Sequence, residues 1–247
     1  MKRFWVSLLT VLIYALAQFL PGMLLRSGLI QPEKGMETTQ FMIYTQVSLF
    51  IVAAILIILI NLYIKNPTRL EAGVKESKRY IISWALLGFC IVMVYQVVVS
   101  LIYTLVLGQQ QQSPNTERLM AIAKQMPVFI ILISVVGPIL EEFVFRKVLF
   151  GELYNAIKGN RIVAFLIASI VSSLLFALAH NDIKFLPMYF GMGMLFSLAY
   201  TYTNRIAVPI VIHMLQNGTV VIMQVFGGEA LKKVQEQANF IIHLILN

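Results

Sequence analysis

Charge is what this sequence has least of. Only 12% of its 247 residues are Asp, Glu, Lys or Arg, while 59% are hydrophobic. Globular domains carry about 25% charged residues, so half the polar surface that a soluble protein of this length needs is missing. An ordinary cytosolic enzyme and a disordered chain are both excluded. Cysteine is nearly absent too. Cys90 stands alone in an apolar run, which excludes an intramolecular disulfide and a CxxC pair. The chain shows no phosphate loop, no internal repeat and no heptad seam. The little charge present leans basic, with 19 Lys and Arg against 11 Asp and Glu. In so apolar a chain that excess reads as loops facing anionic lipid, and no nucleic-acid partner is expected.

The apolar residues fall into runs. Phe4 to Leu25, Thr38 to Ile64, Tyr80 to Thr116, Ile162 to Asn181, Phe185 to Asn204 and Ile206 to Gly228 are free of Asp, Glu, Lys and Arg. Each is long enough for a membrane-crossing helix, which takes about 20 residues. A further run, Gln125 to Leu140, meets Glu141 and then resumes as Phe143-Val144-Phe145 and Val148-Leu149-Phe150. The expected architecture is therefore all-α: a polytopic membrane bundle of about seven helices, the fourth carrying charge inside the membrane and running to about Phe150 or beyond. Lys2 and Arg3 followed by apolar residues and Ala15-Leu16-Ala17 imitate a signal peptide. The run continues past that point to Leu25, which favours an uncleaved first helix.

The basic residues give a direction. The N-terminus, the Lys65–Arg79 loop, the Arg146–Arg161 stretch and Arg205 share one side and hold 12 of the Lys and Arg, against 7 on the other. The positive-inside rule then places the N-terminus in the cytoplasm, in a multi-pass protein of the cell membrane, with the C-terminus outside. Three segments follow: 1–125 with helices one to three and their loops, 126–228 with helices four to seven, and an amphipathic tail, 229–247. Gln109 to Thr116 reads as a polar loop. The small residues Val171-Ser172-Ser173 and Gly191-Met192-Gly193 read as close helix packing.

Ionisable residues inside a span are costly and usually functional. Three clusters stand out: Glu141-Glu142-Phe143-Val144-Phe145-Arg146, Phe176-Ala177-Leu178-Ala179-His180 and His213-Met214-Leu215-Gln216-Asn217. On a helix Glu142 and Arg146 are i,i+4 neighbours and can pair. Glu141 points about 100° away and is left without a local cation, as suits a general base. Taken alone, the cluster serves equally as a structural Glu–Arg lock between helices. His213 and Asn217 share one helix face, where their N–H groups could stabilise an oxyanion. A lone His near a helix end, such as His180, is more often a packing residue, and His243 fits that plain role. Two carboxylates and two histidines could instead hold zinc or another divalent ion, although the spacing is not HExxH.

The three motifs in order, EExxxR at Glu141, Glu142 and Arg146, FxxxH at Phe176 and His180, and HxxxN at His213 and Asn217, resemble the CPBP intramembrane proteases. These are also called the CAAX protease and bacteriocin-processing (Abi) family. The resemblance covers Met126 to about Gly228 and makes that segment the catalytic core. It implies a glutamate-dependent endopeptidase in which Glu141 and His180 activate water and His213 and Asn217 hold the oxyanion. Glu142 and Arg146 would orient them. It implies no required metal, the alternative being zinc at Glu141, His180 and His213. The partners are the lipid bilayer and a peptide or membrane-protein precursor, of secreted, quorum-sensing, bacteriocin or CAAX-like type. The sequence carries no signal for oligomeric state.

Two other functions compete. Intramembrane Glu, His and Arg also mark proton-coupled transporters, though no inverted repeat supports one. A non-catalytic scaffold or immunity protein is the other, though all six motif residues are intact. A water-filled cavity is expected between spans four, five and seven. Straight helices of equal depth would leave His180 and His213 on the order of 10 Å or more apart in depth, at about 1.5 Å per residue. Tilts, or breaks at Gly137-Pro138, Pro187 and Pro209, would have to close that gap.

Overall fold

A computed structural model describes residues 2–64, 67–107, 113–227 and 237. All regular structure among them is helical. Helix α1 is Lys2–Arg26, α2 is Thr38–Tyr63, and α3 is Ile81–Leu107, entered through a 3₁₀ turn at Lys78–Tyr80. Helix α4 is Pro114–Gln125. Helix α5 is one unbroken run over 129–156, in which π-helical turns at Leu132–Val136 and Phe143–Phe150 flank the α-helical Gly137–Glu142. Helix α6 is Arg161–Ala179 and α7 is Leu186–Thr203. Helix α8 is Ala207–Val221, prolonged by a π turn at Ile222–Phe226.

Six helices are long and apolar enough to cross a membrane: α1, α2, α3, α6, α7 and α8. Helix α5 is the seventh and charged one, and it runs past Phe150 to Ala156. It occupies the middle of the bundle, packed against α1, α2, α6, α7 and α8, while α3 closes the far side against α7 and α8. The lipid-facing surfaces are apolar, as on α3, where Ile82, Leu86, Val94, Leu101 and Leu105 are exposed.

The loops sort by side as the charge pattern implies. Arg3 pairs with Glu152 at 3.0 Å, Lys147 with Glu71 at 2.7 Å, and Arg205 with the Glu76 carbonyl. These contacts tie the N-terminus, the loop before α3, the end of α5 and the α7–α8 turn into one end of the bundle. A small polar cavity lined by Ser7, Asn61, Thr68, Glu71, Lys147 and Glu152 lies at that end.

The opposite end corrects one reading. The polar stretch ascribed to a loop through Thr116 is helical from Pro114. Ser113 caps that helix by accepting from the Thr116 N–H at 3.2 Å, and proline occupies its first turn, where no N–H is needed. Met120 and Ala123 are buried while Glu117, Arg118 and Lys124 face outward, so α4 covers the bundle end as an amphipathic helix. Its charged face hid it from a search for apolar runs. The tail over 229–247, with His243, lies outside the described residues apart from Gln237, which is helical.

The small residues of α6 and α7 do meet. A Cβ on Gly193 would lie 2.8 Å from Ser173 Cβ and 3.0 Å from its Cα, a backbone approach that cannot relax by moving a side chain. We expect Gly193→Ala to lower stability by about 1–3 kcal/mol. Gly218→Ala, with nothing within 4 Å of its Cβ, should leave stability unchanged or raise it. Thermal unfolding of both variants in detergent checks the contrast.

Candidate active site

Two apolar clusters meet along α5. One gathers α1, α2, α4 and the first half of α5, including Leu140 and Phe143. The other gathers α3, α6, α7, α8 and Val144 and Phe145 of α5. Glu141 and Glu142 sit at this seam.

Arg146 is completely buried, its Cζ 4.2 Å from the centre of the Phe176 ring and 5.0 Å from that of Phe196. None of its N–H groups has a hydrogen-bond partner among the described residues, so its charge rests on the two ring faces and on Glu142, whose Oε1 is 3.2 Å from Nη1. The i,i+4 spacing had implied that pair. The structure adds a third member, because the same Glu142 oxygen lies 2.9 Å from Nδ1 of His213. A carboxylate only accepts, so Nδ1 carries the hydrogen. Arg146, Glu142 and His213 thus form one buried chain across α5 and α8.

Glu141 is treated differently by the fold. Its side chain is 25% exposed, and Oε2 stands 3.9 Å from Nε2 of His213, too far for a direct hydrogen bond. Of two adjacent carboxylates, one is consumed by a buried ion pair and the other is left free at the seam.

Asn217 is explained by a proline. In the π turn of α5 the Gly137 N–H bonds the Leu132 carbonyl, five residues back. The matching donor for Ile133 would be Pro138, which has no N–H. Asn217 Nδ2 supplies the missing hydrogen bond at 3.0 Å, leaving its second N–H uncommitted. Ser172 similarly donates to the Phe145 carbonyl in the second π turn, at 2.5 Å.

His180 caps α6. Its Nδ1 lies 2.8 Å from the Phe176 carbonyl, so that nitrogen again carries the hydrogen and Nε2 is left as an acceptor. Rings link it to His213: Phe176 meets His180 edge-on at 4.6 Å and His213 at 5.8 Å, and Phe196 lies 5.1 Å from His213. The three motifs therefore converge without the proline breaks expected. Pro187 and Pro209 lie in the first turns of α7 and α8, where a missing N–H breaks nothing. Of the three sites named, only Gly137-Pro138 falls at an irregularity, the first π turn of α5.

Two features carried no sequence signal. Tyr14 of α1, alone among the described residues, packs against both clusters. Gln216 donates to Gln96 on α3 at 2.6 Å, and Gln96 donates to the Met192 sulfur at 3.1 Å. Tyr14 and Gln96 lie in apolar runs, and Gln216 was passed over between His213 and Asn217. No three His, Cys, Asp or Glu side chains among the described residues are gathered as a metal's ligand set.

Comparison with known proteins adds independent findings. The family model for Rce1-like type II CAAX prenyl endopeptidases matches residues 123–219. The membrane-embedded CAAX protease MroQ of Staphylococcus aureus (strain USA300) is 63% identical over 246 residues, covering 100% of both chains. The putative membrane peptidase YdiL of Bacillus subtilis (strain 168) is 34% identical over 250 residues, covering 99% of this chain and 97% of its own. No solved structure matches.

The buried chain makes its own prediction. Arg146→Met leaves the Glu142 charge buried without its cation and should cost about 3–5 kcal/mol of stability. The double variant Glu142→Gln/Arg146→Met removes both charges and should recover part of that loss. Melting temperatures of the two variants in detergent decide it.

Proposed function

Since the chain belongs to the Rce1-like family of CAAX proteases and is a multi-pass membrane peptidase, we propose that it is a glutamate-dependent intramembrane endopeptidase with Glu141 as its general base. The carrying observation is the division of labour between the two glutamates. Glu142 is bound to Arg146 and His213, while Glu141 is partly exposed and faces His213 across 3.9 Å.

In this reading a water sits between Glu141 and His180. As its oxygen attacks the scissile carbonyl carbon, one proton passes to the Glu141 carboxylate. The other hydrogen bonds to Nε2 of His180, the acceptor nitrogen left by the Phe176 carbonyl. The carbonyl electron pair moves onto oxygen, where Nε2 of His213 and the second N–H of Asn217 receive it. The C–N bond then breaks, and the proton held by Glu141 passes to the leaving amine. The products are one carboxylic acid, which keeps the second water hydrogen until it ionises in solvent, and one amine. No step requires a metal. The substrate proposed is a precursor of a secreted, quorum-sensing or bacteriocin-type peptide, or a CAAX-like protein, reached from the bilayer. The basic end of the bundle, with the N-terminus, is placed in the cytoplasm of the cell.

Two outcomes are expected. Glu141→Gln should abolish processing while the protein remains at wild-type abundance in the membrane. Peptidomics of membranes and medium from both strains would reveal the substrate as the precursor that accumulates, and normal processing by the variant would sink the reading. EDTA should leave the purified wild-type rate unchanged. Loss of activity restored by zinc would replace the metal-free mechanism.

A further inference from the structure

The imidazole of His180 is held on a face that none of the three motifs supplies. Beyond α6 the chain turns through Asn181, whose φ of 50° is left-handed, into Asp182, which is buried. The flat face of the His180 ring lies on Tyr189, with centroids 4.0 Å apart and planes inclined by 24°. Tyr189 stands in the first turn of α7 and is 9% exposed. Its hydroxyl is 3.0 Å from Ser113 Oγ, and Ser113 Oγ is 2.7 Å from Asp182 Oδ2.

The protons in this group can be assigned. The Ser113 hydroxyl has one hydrogen, and the Asp182 carboxylate can only accept it. The Tyr189 hydroxyl must then donate to Ser113. The serine oxygen also receives the Thr116 N–H as the cap of α4, so it uses its one donor and both lone pairs. The order Tyr189 to Ser113 to Asp182 is complete and one-directional. It joins α7, the first residue before α4, and the turn that follows His180.

Resting on the proposed role of His180, we propose that Tyr189 is a positioning residue, with Ser113 and Asp182 fixing its phenol so that the His180 ring plane holds Nε2 toward the water on Glu141. The ring has two other restraints, the Nδ1 bond to the Phe176 carbonyl and the edge contact with the Phe176 ring. Both come from one residue of its own helix and leave it free to swing off that anchor, which frees Nδ1 from the carbonyl. The stacked phenol removes this freedom. The arrangement also makes α4, a surface helix, part of the frame of an intramembrane histidine.

Tyr189→Phe keeps the stacked ring and removes only its tether. Ser113→Ala removes the tether from the other side. Tyr103→Phe is the control, because the Tyr103 hydroxyl holds the same loop through the Lys184 carbonyl at 2.8 Å. The first readout is independent of turnover: long-range ¹H–¹⁵N spectra of ¹⁵N-histidine-labelled protein in nanodiscs, with His180 assigned from a His180→Gln sample. Wild type and Tyr103→Phe should show His180 as one Nδ1–H tautomer. Tyr189→Phe and Ser113→Ala should show both tautomers in exchange. The second readout is cleavage of the precursor that accumulates with Glu141→Gln. Tyr189→Phe should lower kcat about 10- to 100-fold, as expected for sub-ångström misplacement of a reacting group, with KM unchanged. A single Nδ1–H tautomer and a wild-type rate in Tyr189→Phe would overturn the proposal, as would equal effects from Tyr103→Phe. If Glu141→Gln accumulates no precursor, the endopeptidase reading fails instead, and the tautomer spectra still decide whether Tyr189 sets the ring.

Discussion

A guanidinium at the centre of a membrane bundle needs a counter-charge, and most of this site follows from where Arg146 finds one. Burial of an ion is tolerable only when it is paired. Arg146 takes Glu142 from its own helix and two ring faces, Phe176 and Phe196, from α6 and α7. The Glu142 oxygen pinned by that pairing also accepts from Nδ1–H of His213 on α8. Four helices are therefore registered by one charge. The same pairing releases Glu141. With about 100° between consecutive residues on a helix, a carboxylate beside one turned wholly inward faces another direction, and here that direction is the seam between the two apolar clusters.

A second constraint is backbone accounting. Inside a bilayer every carbonyl must find a donor within the protein. Pro138 withholds one from Ile133, and Asn217 fills the place from across the bundle. Asn217, proposed to hold the oxyanion, is thereby anchored by its other N–H, so its position is set by the carbonyl that α5 leaves unpaired. Ser172 does likewise for Phe145. The π turns on either side of Glu141 and Glu142 thus both end on side chains of neighbouring helices, which holds the short α-helical piece between them in place. π turns recur at functional sites, and here they flank two adjacent glutamates.

What could be read from the sequence was what depends on local spacing. Apolar runs located the six helices long and apolar enough to cross a membrane, because membrane thickness imposes a length, and the run interrupted at Glu141 located α5. The i,i+4 rule found Glu142 with Arg146, and small residues found the α6–α7 contact at Ser173 and Gly193. Tertiary pairings stayed hidden. Nothing local says that His213 bonds Glu142 rather than Glu141, or that Tyr189 lies on His180. The depth mismatch between motifs arose from assuming straight helices of equal depth. The remedy was sought in tilts or in breaks at Gly137-Pro138, Pro187 and Pro209, of which the last two sit harmlessly in first turns. Pro138 was the informative one: its missing N–H implies an orphaned carbonyl in mid-membrane, and with it a polar partner such as Asn217. Helix α4 was hidden by its charges, although Ser113-Pro114 before Glu117 is a helix-start pattern.

The two histidines receive different partners at the same nitrogen, and that difference sorts their proposed roles. Each has Nδ1–H committed, His180 to a neutral carbonyl and His213 to a carboxylate. A neutral ring with Nδ1–H can only accept at Nε2, which suits His180 beside a water. In the proposed mechanism His213 would donate to the oxyanion from Nε2 only as an imidazolium, with Nδ1–H kept on the Glu142 carboxylate. The proposed charge shift runs from the Glu141 carboxylate, which faces His213 across 3.9 Å, to the tetrahedral oxygen. A fixed arrangement of dipoles and ions can stabilise so short a displacement without reorganising.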